Sequence, residues 1–505
     1  MRIKNPGNFQ SILSSRCSMD AMKYSRVLID SFSNQQSTSQ LNLIPEGIKI
    51  KIKASLERVD LSNNLSVYLS KDPHSWFIAD NSFLNDLNSS NLKKIDKEDL
   101  LVLYKKGLLS INEKFFQPSE LFGRYAVRSD NVALISLTDH CNLKCPHCVA
   151  NANANYLTGT ELTFKELDLL FKNIAQENNP YGFSLEKKVF ISGGEPSIRE
   201  DLEEISLSCA DQNLSTHICT NGLLISPKIL KNLKDKKIAF SVSLDGEKIN
   251  HEIIRGYNTF NPTIEKIKLM CNNGFDVFIN TFLHQGNLND MDYLVNFGAE
   301  TGVKGINFIR AIPRGRGKNM EFKRVPDKIL FRKTYQLMKK DINFYKLLEN
   351  ENTFSILALS ALSGVKSLNC GLSRDNYFFL DSVGNIFPCP GMRYDEFLIG
   401  NLRTSSFKNL LIKKKNNSLS DLKADSFPVC STCDFVYFCG GDCRGSAYGN
   451  DLYKNIKSPV PYCFERKESL LEMFTILGED PTFLRDKSKW IIKNSEEETN
   501  ARNKN

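Results

Sequence analysis

The chain is 505 residues long, 41% hydrophobic and 25% charged, with a formal net charge of +8. That length predicts several domains rather than one core, and no apolar run approaches the ~20 residues of a membrane span. The N-terminus lacks the continuous apolar core of a signal peptide, and the lysines are dispersed rather than gathered into a nucleic-acid-binding stripe, so a soluble cytoplasmic protein with no membrane or nucleic-acid partner is expected.

Residues 1–40 are rich in Ser, Asn and Gln and are expected to be poorly ordered. A small α+β unit is expected over 41–125. In it Leu65, Val67 and Leu69 alternate, Lys-Asp-Pro-His makes a turn, and Ser-Trp-Phe-Ile-Ala resumes the pattern, which together predict a hairpin. A short apolar segment at Phe83–Leu87 precedes a helix with Asp96 as its N-cap, carrying Leu100, Leu101, Leu103, Tyr104 and Leu108, and Gly107 helps to end it.

From Val132 the rhythm changes to strand–helix alternation, expected over 126–325. VALISLT, VFISGGEP, STHICT, IAFSVSLDG, FDVFINTF and VKGINFIR read as six short, largely apolar strands of the buried parallel kind. Between them, Thr163 with Glu166 forms a capping box, and Ser226-Pro227 opens another helix. Six βα units predict an α/β fold: an open or partial (β/α)6 barrel of the TIM type. In such barrels chemistry sits at the C-terminal ends of the strands, and the unusual motifs fall there. A Cys cluster follows the first strand, Gly193-Gly194-Glu195-Pro196 the second and Thr220-Asn221-Gly222 the third. Ser243-Leu244-Asp245-Gly246 ends the fourth and Arg310 the sixth. A helical bridge (326–364), a Cys-rich segment (365–465) and a charged helical tail (466–505) complete the chain.

Fourteen cysteines are unevenly placed, three in Cys141–Cys148 and seven in Cys370–Cys463, which in a chain without a signal points to metal or redox chemistry rather than disulfides. Cys17, Cys209, Cys219 and Cys271 stand alone and read as buried small hydrophobes. Cys141-x3-Cys145-x2-Cys148 places three thiolates in one loop. Three soft ligands suit a [4Fe–4S] cluster with one open iron; a zinc site would need a fourth ligand, for which His140 and His147 are available. Cys370 and Cys389 follow C-x13-G-x4-C with Gly384 at the glycine, and Cys430-x2-Cys433-x5-Cys439-x3-Cys443 then Cys463 complete the second set. Paired C-x2-C spacing is also that of a zinc ribbon.

The first constellation resembles the signature of the radical S-adenosylmethionine (SAM) enzymes. The resemblance implies that the open iron binds SAM, which is cleaved to a 5′-deoxyadenosyl radical. It also implies that Gly193, Gly194, Glu195, Ser243 and Arg255 surround SAM. His251-Glu-Ile-Ile-Arg255-Gly256 is similar to that family's HDxxRG segment, with Glu252 in place of Asp. The second constellation resembles the SPASM extension of radical SAM enzymes that act on peptides and proteins. That resemblance implies two auxiliary clusters, the first held by Cys370, Cys389 and Cys443 and the second by Cys430, Cys433, Cys439 and Cys463. With the SAM-binding cluster this makes three [4Fe–4S] clusters. No Cys lies between Cys271 and Cys370, where such enzymes with a fully ligated first auxiliary cluster have one. An open iron, a non-Cys ligand or a substrate ligand are the alternatives.

The hairpin-and-helix unit is similar in element order to the winged-helix, PqqD-like leader-binding element of ribosomal peptide maturases, which take a peptide as an added strand. The implied function is oxidative modification of a precursor peptide, such as a thioether or carbon–carbon crosslink, with electrons from a flavodoxin or ferredoxin. A protein-modifying oxidase of the anaerobic sulfatase-maturase type, a tetrapyrrole-tailoring enzyme and a zinc or iron–sulfur binding protein without SAM chemistry are the alternatives. No side chain is identified as a catalytic acid or base.

Overall fold

The computed structural model describes residues 27–29, 50–115 (less 54, 62, 63, 73, 89–98, 101, 102, 105 and 112), 131–153, 160–176, 187–310, 314–348 (less 320 and 321), 372, and 377–480 (less 418, 420, 421, 451 and 453). No helix among them is long and apolar enough to cross a membrane.

Near the N-terminus, β1 (Val27–Ile29), β3 (Glu57–Asp60), β4 (Leu65–Lys71) and β5 (His74–Asp80) form an antiparallel sheet in the order β1-β5-β4-β3. β1 lies within the stretch expected to be poorly ordered; it pairs with the outer edge of β5, Leu28 opposite Ile78. β4 and β5 are the expected hairpin. Side chains alternate across a strand, so Val67, Leu69, Trp76 and Ile78 enter the main core. Tyr68, Phe77 and Ala79 face a separate cluster with Phe83, Leu87, Leu100 and Leu103. A second small sheet joins β2 (Ile50–Ile52), β6 (Leu109–Ile111) and β7 (Lys114–Phe115). Asp96 and Leu101 of the helix expected after it lie outside the described residues, whereas Leu100, Leu103 and Leu108 are buried.

The six expected parallel strands are β8 (Asn131–Ser136), β9 (Lys187–Ser192), β10 (Ser215–Thr220), β11 (Ile238–Ser243), β12 (Asp276–Leu283) and β13 (Gly305–Arg310), hydrogen-bonded in chain order. One face of the sheet is fully buried, with Ile135, Ile191, Ile218, Phe240, Val242 and Ile279 in register on it, while alternate positions of β9, β10 and β12 are only partly buried, unlike the continuous burial expected of these strands. Thr163 and Glu166 cap each other's backbone at the helix Phe164–Gln176, and Ser226 caps Ile229 N–H at 3.3 Å.

The sheet does not stop at β8. β14 (Tyr377–Leu380), from the Cys-rich segment, pairs with it in parallel, Phe379 opposite Leu134. β15 (Asn385–Phe387) and β16 (Gly400–Asn401) follow antiparallel, making nine strands. The helix Cys463–Glu479, whose charge marks it in the sequence as the start of a tail, is instead part of the core: Leu470, Met473, Phe474 and Leu477 are at most 1% exposed. Its charges are taken up across the contact with the helix Asp327–Lys340, where Arg332 pairs with Glu472 and Glu479. Trp76 of the hairpin packs edge-on against Phe474, ring centroids 5.1 Å apart.

Candidate active site

The loop after β8 carries Cys141 and Cys145, both buried, and the more accessible Cys148. Burial pushes the Cys141 thiol up to about 11, with the nearby Cys145 and Cys148 adding to the effect. Burial also raises Cys145, against the pull of Arg255, whose Nη1 lies 3.9 Å from its sulfur. These thiols hold their protons until a metal displaces them.

The glycines of the second motif are needed for this loop. A Cβ on Gly194 would lie 2.2 Å from the His140 carbonyl oxygen, and one on Gly193, at φ +154°, 2.5 Å from that of Thr138. Only bare backbone can press that close, and Gly194 and Glu195 N–H donate to those same carbonyls at 2.6 and 2.9 Å. Glu195 is 1% exposed and its carboxylate is committed to the protein. It accepts from Ser197 N–H and Oγ, from Thr220 Oγ1 at 2.6 Å and from Asn221 N–H at 2.7 Å. Burial raises its pKa, against these bonds. Asn221 Nδ2 in turn donates to Asn142 Oδ1 at 2.8 Å. The second and third motifs thus form one hydrogen-bonded frame around the first.

The fourth motif supplies Asp245, fully buried. Its carboxylate accepts from Arg255 Nε at 2.5 Å, Arg255 Nη2 at 3.3 Å and Phe282 N–H at 2.7 Å. Burial opposes its ionisation, but Arg255 prevails and its pKa is lowered. Ser243 ends β11 at the same rim, partly buried. His147 stacks on Phe282, centroids 4.3 Å apart, and burial drives its pKa down to about 4.

A further group is absent from the sequence expectations. After β13, Arg316 Nε donates to the Cys145 carbonyl at 2.9 Å and its Nη1 to the Ala152 carbonyl at 2.6 Å. Arg314, two residues earlier, donates to the Pro390 and Arg393 carbonyls at 2.6 and 2.8 Å, just beyond Cys389, and lies over the Tyr394 ring. A Cβ on Gly315, between them, would lie 2.4 Å from the Cys148 carbonyl. Arg393 Nη2 reaches back to Asp139 at 3.1 Å, ahead of the first Cys loop. Asp139, Asn151, Arg314, Lys318, Arg393 and Tyr394 help to line a cavity of about 490 Å³ between the two Cys segments. The signal for this clamp was the Arg314-Gly315-Arg316-Gly317 run beyond the sixth strand.

The second set of thiols divides by electrostatic reach. Cys389, buried and pushed up to about 12 by burial, feels Cys443. Cys430 feels Cys463 and Cys433, and Cys439 feels Cys463 and Cys430. Cys370 lies outside the described residues. Among those residues no three His, Cys, Asp or Glu side chains converge tightly enough for a single ion. Two arginines beside the four-thiol group suit the net negative charge that thiolate-ligated clusters bring. Arg466 pairs with Asp442 at 2.6 Å, and Arg444, fully buried, leaves Nη2 with no partner among the described residues. The residues present therefore fit iron–sulfur clusters: soft donors in groups, set against buried cations.

Comparison with known proteins agrees. The family model of the Radical SAM superfamily matches residues 135–297, and that of the SPASM iron–sulfur cluster-binding domain matches residues 370–434. The chain is 27% identical to the AdoMet-dependent heme synthase of Methanosarcina barkeri, over 65% of this chain and 95% of that one. It is 26% identical to the mycofactocin maturase MftC of Mycolicibacterium smegmatis, over 65% and 81%. Among solved structures, native anSMEcpe with bound AdoMet and Kp18Cys peptide superposes with a TM-score of 0.57 at 21% identity, covering 69% of this chain and 98% of that one. Streptococcus suis SuiB bound to S-adenosylmethionine gives 0.53 at 15%, covering 82% and 99%, so both share the fold. Residues 135–297 thus carry a Radical SAM domain, the catalytic barrel of an enzyme, and residues 370–434 a SPASM iron–sulfur cluster-binding domain that follows it.

Proposed function

We propose that the enzyme oxidatively modifies a ribosomally made precursor peptide, installing a thioether, carbon–carbon or related crosslink. The observation that carries this reading is the clamp of Arg314 and Arg316, which draws the Cys141–Cys148 loop and the Cys389 loop around one cavity of about 490 Å³. A substrate seated there lies between two cluster sites, so a hydrogen can be removed on one side and an electron accepted on the other. Cys141, Cys145 and Cys148 would hold the SAM-binding cluster, Cys370, Cys389 and Cys443 the first auxiliary cluster, and Cys430, Cys433, Cys439 and Cys463 the second. When bound, SAM and its cluster would supply the 5′-deoxyadenosyl radical. Gly193, Gly194, Glu195, Ser243 and Arg255 would surround SAM, with Gly194 and Glu195 acting by fixing the loop. Arg255 balances Asp245 and the Cys145 thiolate. The N-terminal unit would take the leader peptide, and a flavodoxin or ferredoxin would supply electrons.

The 27% identity to a heme synthase over nearly that protein's whole length favours a second reading, a tetrapyrrole substrate. The experiment is anaerobic reconstitution with iron and sulfide, then SAM and dithionite. About twelve irons per chain and deoxyadenosine from wild type but not from a Cys141/Cys145/Cys148→Ala variant are expected. Candidate precursor peptides and porphyrins are then added separately. A hydrogen-loss product from a peptide supports the first reading, and turnover of a porphyrin alone overturns it.

A further inference from the structure

Arg444 follows Cys443 directly and opens the helix Arg444–Asn450, yet none of it reaches solvent. A buried guanidinium is tolerated when its charge is paired and its donors are used. Three donors are used on backbone: Nη1 gives both hydrogens, to the Ile456 and Ser458 carbonyls at 3.0 and 2.8 Å, and Nε reaches the Asp442 carbonyl at 3.4 Å. The Phe427 ring covers one face, 4.8 Å from the guanidinium carbon. Nη2 carries the remaining two hydrogens and has no partner among the described residues.

The neighbouring buried arginine behaves differently. Arg466 answers Asp442 at 2.6 Å and Asp327 at 3.3 Å. No carboxylate among the described residues answers Arg444. Its charge reaches sulfurs instead: of the charged groups around Cys430 it has the largest influence, and it acts on Cys463 as well. Its backbone anchors, Ile456 and Ser458, lie in the segment leading into Cys463, so the side chain is held in place before any metal arrives.

We infer that Arg444 Nη2 donates to a cluster held by Cys430, Cys433, Cys439 and Cys463, and that its unpaired charge sets that cluster's reduction potential. Arg444 is a positioning and tuning residue, not a catalytic one. The inference rests on the proposed cluster assignment. A cation and a hydrogen bond at the sulfurs stabilise the more negative, reduced form and so raise the potential.

The test is an EPR-monitored redox titration of the reconstituted full-length enzyme, with iron and sulfide quantified on each sample. Arg444→Met is expected to keep its iron and to lower one midpoint while leaving the others in place. At the wild-type midpoint, the reduced fraction of that cluster relative to the oxidised should fall about tenfold, which is ~59 mV for one electron. Arg444→Lys, which keeps the charge, should recover most of the shift. Full iron with every midpoint unchanged in Arg444→Met overturns the proposal. If Arg444→Met loses about four irons, the lysine variant decides: retained iron with a near-wild-type midpoint supports the charge role, and equal loss shows that Arg444 is only a backbone anchor. Wild type that never binds iron at these four cysteines would instead sink the cluster assignment, a result visible before any variant is made.

Discussion

Arg255 and Asp245 form a buried ion pair directly behind the first Cys loop, Nε to Oδ2 at 2.5 Å, with the aspartate side chain fully buried and the arginine 12% exposed. The pair is shielded from water rather than lying on the surface. Arg255→Met leaves Asp245 ionised without its countercharge, which should cost about 3–5 kcal/mol. Urea denaturation should show that loss. Adding Asp245→Asn should restore part of it, because the stranded charge is gone. Additive losses in the double variant would show that the two are not coupled.

Gly194→Ala tests the frame around the Cys loop. The new Cβ meets backbone, the His140 carbonyl, and backbone cannot rotate away. A loss of ~1–3 kcal/mol is expected from the forced shift, and iron bound by the first Cys set should fall more than iron at the auxiliary sites. Equal retention at all sites would place the strain elsewhere.

His251 gives a pH dependence of predictable sign. It is 1% exposed, burial drives its pKa down to about 4, and its Nδ1 accepts from Asp245 N–H at 3.3 Å, so the folded state needs it neutral. The unfolded chain takes up this proton near its ordinary 6.5. Stability therefore falls as pH drops from about 6.5 to about 4, by on the order of 3 kcal/mol at the limit, and levels off below. His251→Asn keeps an acceptor at that place and cannot titrate. Thermal midpoints between pH 7 and 4 should decline less steeply for the variant, and parallel curves would remove His251 as a source.

Trp76 is fully buried between the hairpin and the helix Cys463–Glu479. Trp76→Ala should cost about 3–5 kcal/mol and loosen the N-terminal sheet from that helix. Limited proteolysis should then cut within the N-terminal sheet, Glu57–Asp80, before the barrel is attacked. Simultaneous loss of both would mean that they unfold as one unit.

Much of this architecture was legible because it rests on local signals. Six apolar runs, a capping box, Gly pairs and Cys spacing each report on a few neighbouring residues, and the barrel strands, the helix at Phe164 and the rim motifs all lie where those signals put them. What the sequence withheld depends on partners far apart in the chain. Charge at Arg466 and Glu472 reads as solvated until Asp327, Asp442 and Arg332 are seen opposite. β1 is three residues whose strand pairing among the described residues is with an edge of β5. Glu195 reads as a ligand contact, and nothing local reveals that Thr220 and Asn221 occupy its oxygens.

The pairing of β14 with β8 also dictates an order of assembly. β8 is among the first barrel strands to leave the ribosome, while the strand that covers its free edge is made only after the rest of the barrel. Through that interval the nascent barrel presents an open, apolar, parallel edge, the kind that recruits foreign strands. Chains truncated before residue 377 should therefore aggregate even with every barrel strand present, and rapid completion of the C-terminal half acts as the barrel's own chaperone.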